Sequence, residues 1–139
     1  MTVPQSLIDA YNSAEYHVSS YQPFVLSVNQ LNSDLKSLHD EHNVESSAFL
    51  TAHNPYSQLV TDSENTILQN SLKSDLDSLG LTFINGFGQG SEANSDWKES
   101  SFLVLGIDFE MATALAKKYK QNAYIWSSID CIPKLILCV

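Results

Sequence analysis

The chain of 139 residues has no arginine: its seven basic residues are all lysine, set against sixteen Asp and Glu, for a formal net charge of -9. Phosphate-backbone binding draws on clustered Lys and Arg, and bidentate reading of guanine uses a guanidinium fork. Nucleic acid is therefore excluded as a partner. The same acidic balance repels anionic lipid, which excludes a membrane surface. No stretch approaches the roughly 20 apolar residues of a membrane span, and residues 1–9 have neither a basic start nor a long apolar run. These absences predict a cytoplasmic protein. Cysteine is nearly absent as well. Cys131 and Cys138 lie in or beside an apolar run without a neighbouring histidine, which predicts buried free thiols over a disulfide or a nucleophile.

Several chemical motifs are also missing. Residues 86–90 read Gly-Phe-Gly-Gln-Gly but do not open a helix, so neither a dinucleotide fingerprint nor a phosphate loop is present, and no cofactor is expected. The segment from Asn85 to Asp96 is predicted to be a long flexible hairpin loop. His17, His39, His42 and His53 lack the spacing of a closed zinc site, so no metal is expected. There is no Gly-x-Ser-x-Gly elbow.

Hydrophobic residues, 43% of the chain, suffice for one core, which predicts a single domain over residues 1–139. Pro4 is placed to open a helix carrying Leu7, Ile8 and Tyr11, and a strand is predicted at 24–28. Asn29 then caps a predicted helix with the stripe Leu31, Leu35, Leu38 and His42. Next come a strand at 48–50, a helix opened by Thr61 and Glu64 and closed at Gly80, strands at 81–84 and 102–107, a helix capped by Asp108, and strands at 123–126 and 135–139. The predicted fold is α+β: a mostly antiparallel sheet with a ferredoxin-like βαββαβ core over about residues 48–127. A helix, strand and helix precede that core, and one strand follows it.

In that topology alternate strand ends meet along one edge. The residues delivered there include Thr51, His53, Asn54, Ser57, Asn65, Trp97, Glu99, Ser100, Gln121 and Asn122. This is a gathering of uncharged donors and acceptors around one carboxylate and one imidazole. A buried polar group without a partner costs roughly 1–3 kcal/mol, so these side chains are expected to bond one another or a ligand. The functional assignment makes Glu99 a general acid or base, with His53, Asn54, Ser57, Asn65, Trp97 and Gln121 as ligand-binding residues. The plainer assignment makes them turn-forming side chains that tie down loops around Pro55.

Four ordered blocks carry a resemblance: residues 49–57, Phe-Leu-Thr-Ala-His-Asn-Pro-Tyr-Ser; Glu64-Asn65; residues 97–102, Trp-Lys-Glu-Ser-Ser-Phe; and Gln121-Asn122-Ala123. They make the chain similar to a bacterial family called domain of unknown function 3293. The resemblance implies a small cytosolic protein and marks Asn54, Pro55, Ser57, Asn65, Trp97, Glu99 and Gln121. His53 stands where the family pattern has an aromatic residue, and Lys120 where it has Gly. Three functions stay open: a module that binds a small-molecule ligand or a protein partner in a polar pocket at the sheet edge, a small enzyme using Glu99 as general acid or base on a polar substrate, and an interaction protein that offers its C-terminal strand to a partner.

Overall fold

The computed structural model describes residues 2–91 and 96–138. Its elements are α1 (Gln5–Ser13), β1 (Glu15–Val18), β2 (Phe24–Leu26), α2 (Ser33–Glu41), β3 (Ser47–Leu50), α3 (Asp62–Ser78), β4 (Thr82–Gln89), β5 (Lys98–Leu105), α4 (Phe109–Lys118), β6 (Ala123–Ser127) and β7 (Lys134–Leu137). The strands form one seven-stranded sheet in the order β2-β1-β4-β5-β3-β6-β7, every pairing antiparallel. The protein is thus a mixed helix-and-strand fold with β7 at one edge of the sheet.

Strand alternation divides the core between the two faces of the sheet. Ala48, Leu50, Phe102 and Val104 point to the face covered by α3 and α4, where they meet Leu72, Leu76, Ala112, Leu115 and Ala116. Phe49, Leu103, Leu105 and Ile125 point the other way, toward Leu35 and Leu38 of α2 and toward Tyr16, Val18 and Leu26. Capping follows the expected chemistry. The Thr61 side chain accepts from Glu64 N–H, and that of Asp108 accepts from Met111 N–H. Gly80 takes a φ of 70°, the left-handed geometry that ends α3.

The expectations for the N-terminal part are corrected: two strands, β1 and β2, stand between α1 and α2 where one was expected. The cap of α2 is Asn32, whose side chain accepts from Leu35 N–H, while Asn29 lies in a preceding turn with a φ of 66°. Leu31 accordingly falls outside the helix and is 69% exposed, and the histidine that enters the core is His39, not His42.

The larger correction concerns the glycine-rich segment, which is strand and not a flexible loop as far as residue 89. Residues 86–89 pair with β1 on one side and with β5 on the other. Residues 92–95 of that segment, and Val139, lie outside the described residues. The glycines act here by leaving space. Phe87 points to one side, where it stacks on His17 at a centroid distance of 4.4 Å and receives the Lys98 ammonium at 4.3 Å. Gly86 and Gly88 leave the opposite side bare, and the rings of Phe49 and Trp97 lie over them. Two strands separate Tyr16 from Phe49, about 14 Å in a flat sheet, yet their rings meet edge to face at 5.5 Å. The sheet curls about this glycine pair.

Candidate functional site

Tyr16, Gly88 and Glu99 are direct cross-strand partners and form one row across β1, β4 and β5. Because Gly88 contributes no side chain, the row has a gap between the phenol and the carboxylate. Glu99 faces inward because β5 begins at Lys98, earlier than the apolar run at Phe102 suggests. Alternation then turns Glu99, Ser101 and Leu103 inward and Lys98 and Ser100 out.

Two adjoining chambers open at this gap. The inner one, about 40 Å³, is lined by Tyr16, Phe49, Thr51, Ser101, Gln121 and Ile125 among others. The outer one, about 170 Å³, lies between α1 and the sheet end and is lined by Leu7, Ala10, Leu59 and Gly90. Tyr11, Asn54, Ser57, Trp97 and Glu99 line both, so they form the passage between the chambers. Predominantly apolar walls with a few fixed polar groups are the usual make-up of a small-molecule pocket.

The loop after β3 supplies the polar side of this passage and is held from several directions. Asn54 N–H donates to Asn65 Oδ1 at 2.8 Å, and Asn65 Nδ2 returns a bond to Asn54 Oδ1 at 3.0 Å. Val60 N–H also reaches Asn54 Oδ1, which leaves Asn54 Nδ2 to donate to Glu99 Oε2 at 2.9 Å. Gln121 Nε2 donates to the carbonyl oxygens of His53 and Tyr119, and Asn122 Nδ2 donates to Ser57 Oγ. Ser57 Oγ also shares a 2.7 Å bond with the Tyr11 hydroxyl. Gln69 Oε1 accepts from Ala52 N–H at 2.9 Å, so α3 grips the loop at two points. These bonds sustain left-handed backbone at Asn54, Tyr56 and Ser57, with φ of 47°, 55° and 60°. Asn tolerates that region, whereas Tyr and Ser adopt it against a steric cost, a pattern that clusters at ligand sites.

Glu99 is 7% exposed, and burial raises its pKa from 4.5 to about 7, with the Asn54 and Trp97 side chains opposing the rise only in part. The carboxyl group therefore exchanges its proton near neutrality. Tyr11 and Tyr16, which face it, have phenol pKa values raised by burial and stay protonated there.

Of the residues expected at the site, Asn54, Ser57, Trp97, Glu99 and Gln121 line the chambers. Asn65 is buried behind them and acts on Asn54. His53 is brought to the loop, where its carbonyl accepts from Gln121, but its side chain is not among the lining groups. Burial lowers the His53 pKa, which keeps the imidazole neutral. Sequence reasoning missed Leu7, Tyr11 and Tyr16. Their periodicity placed Leu7 and Tyr11 on one helix face, but nothing in it said that this face covers the sheet end.

A second departure lies on the α2 side of the sheet. Cys131 does have a histidine neighbour: its Sγ is 3.5 Å from His39 Nδ1, and His39 Nε2 is 2.8 Å from Ser47 Oγ. Burial raises the Cys131 pKa and lowers that of His39, so the pair rests as thiol and neutral imidazole. Among the described residues, no three His, Cys, Asp or Glu side chains are grouped to hold a metal ion. No helix among them is long and apolar enough to cross a membrane.

Residues 50–124 match the model of the family described as Protein of unknown function (DUF3293), and the chain belongs to that family. No curated protein and no solved structure matches it. The matched span contains Asn54, Ser57, Asn65, Trp97, Glu99 and Gln121, while Leu7, Tyr11 and Tyr16 precede it.

Proposed function

We propose that the protein is a small-molecule-binding module whose ligand occupies the two chambers and contacts Glu99. The observation that carries this is the position of Glu99. It is a buried carboxyl group in the passage between the chambers, held from behind by Asn54, with aromatic walls to either side. Four strands in the order β6-β3-β5-β4, with α3 and α4 on one face, support reading about residues 48–127 as a ferredoxin-like core that presents this site at its end. Low cysteine content and two free thiols fit a cytoplasmic setting.

The test is a thermal-shift screen against small metabolites, repeated with Glu99→Ala and Asn54→Ala. A ligand at a hundred times its Kd adds about 2.7 kcal/mol, several degrees in Tm for a domain of this size. A shift lost in Glu99→Ala supports the site. A shift of equal size in both variants and the wild type would move the ligand elsewhere.

The raised pKa of Glu99 favours a second reading, in which the bound molecule is a substrate and Glu99 its general acid or base. Turnover that follows a single ionisation near pH 7 and disappears in Glu99→Gln would select it over simple binding.

A further inference from the structure

Among the described residues, Glu99 has no countercharge. The ion pairs among them are His17 with Glu15, Lys36 with Asp40 and Lys118 with Asp75, and none of these side chains lines the chambers. Neither chamber has a lysine or histidine among its lining residues, and the sequence offers no arginine. Taking a carboxylate out of water is costly unless an opposite charge meets it, and here the groups that meet it, the Asn54 amide at 2.9 Å and the Trp97 side chain, are neutral. The missing charge has a prepared place. Glu99 faces a chamber walled by Tyr11 and Trp97, and aromatic faces attract ammonium groups. Ser57 Oγ and the Tyr11 hydroxyl in the same passage add oxygen acceptors for N–H groups. An anionic ligand would meet the opposite conditions: like charge at Glu99 and no cation to hold it.

We propose that the chambers take a small organic ammonium ion, its charged nitrogen against Glu99 and its carbon groups against Trp97, Tyr11 and Leu7. This rests on reading the chambers as a ligand site and adds the ligand's charge class. The inner chamber suits the head group, since about 10–15 Å³ of such volume admits one water and this chamber has about 40 Å³. The outer chamber, at about 170 Å³, takes a short apolar chain beside Leu7, Ala10 and Leu59. A metal ion is a poor alternative occupant, because Glu99 would be its sole ionised ligand.

The test uses butylammonium, with butanol and butyrate as neutral and anionic probes of the same length. Binding is followed by the Trp97 indole N–H resonance, assigned with Trp97→Phe. Among the described residues, the titratable groups that face Glu99 are the phenols of Tyr11 on α1 and Tyr16 on β1, both protonated across the range used, so of these three Glu99 changes charge. The expected result is butylammonium binding about tenfold tighter than butanol at pH 8, weakening about tenfold by pH 6 as Glu99 takes up its proton. Glu99→Gln should remove that preference while retaining a cooperative urea transition, which separates loss of charge from loss of fold. If butanol or butyrate moves the Trp97 resonance at least as strongly as butylammonium, the chambers are a ligand site and the ammonium assignment is wrong. If no probe of any charge moves it, the ligand site and the ammonium assignment fall together.

Discussion

Asn54 and Asn65 hold one another through two hydrogen bonds, from backbone to side chain at 2.8 Å and from side chain to side chain at 3.0 Å. This pair fixes the loop after β3 to the first turn of α3, and Asn54 passes the constraint on to Glu99. Asn65→Ala leaves the buried Asn54 N–H without a partner, which should cost about 1–3 kcal/mol in urea denaturation. It should also loosen the passage. An unchanged urea midpoint would show that the pair does not hold the loop.

Stability should carry the signature of Glu99. Its folded pKa, about 7, lies above its ordinary 4.5, so the folded state binds the proton more tightly than the unfolded chain does. The resulting stabilisation is fully present below about pH 4.5 and is lost as pH rises through about 7. Glu99→Gln, which cannot ionise, should therefore gain about 2 kcal/mol of stability relative to wild type between pH 5.5 and 8.5. Paired urea titrations at those two pH values measure the difference. A constant difference would mean that Glu99 titrates normally.

Gly86 and Gly88 should differ in their tolerance of a methyl group. A Cβ at Gly86 would collide with the backbone carbonyl oxygen of His17 and sit 3.0 Å from Phe49 Cε2. A Cβ at Gly88 would press on the Trp97 ring, at 3.1 Å, and meet Tyr16 Cδ1 at an ordinary 3.8 Å. Gly86→Ala should thus cost about 2–4 kcal/mol, and Gly88→Ala about 1 kcal/mol, because a side chain yields more readily than paired backbone. Thermal denaturation of the two variants would rank them, and the reverse ranking would contradict the curled-sheet geometry.

Cys131, 1% exposed and protonated beside His39, should resist alkylation in the native protein, as should the buried Cys138. Both thiols should react with iodoacetamide only at the rate of unfolding. Rapid native labelling of Cys131 would show that His39 holds it as a thiolate.

Much of this fold was legible because local chemistry and long-range packing agree. Thr61, Gly80 and Asp108 mark helix ends that the structure keeps, and the residues at 51–65, 97–101 and 121–122 were placed together by strand order alone. Legibility failed where a residue acts by what it lacks. The glycines of β4 look like loop residues to a propensity argument, and their role as bare floor beneath Phe49 and Trp97 appears only once β1, β3 and β5 are in place. Leu31 and His42 failed for another reason: the helical period fits them equally well, and the Asn32 cap decides which turn is real. The roof from α1 was hidden because amphipathicity shows that a face is covered but not by what.

That roof is lightly fastened. No residue of α1 is buried, and among the described residues the bonds that tie it to the loop and sheet run through Tyr11 and Ser13 at its C-terminal end: the Tyr11 hydroxyl to Ser57, the Tyr16 hydroxyl to the Tyr11 carbonyl, and Ser13 to Ser91. A nine-residue helix has little stability of its own, so α1 depends on these contacts to stay over the chambers. A molecule bound in the chambers as proposed would then meet a door hung on one side, held by a few surface bonds. How fast the site fills and how firmly it is built become separate properties, the first governed by Tyr11 and the second by Asn54, Asn65 and Gln121.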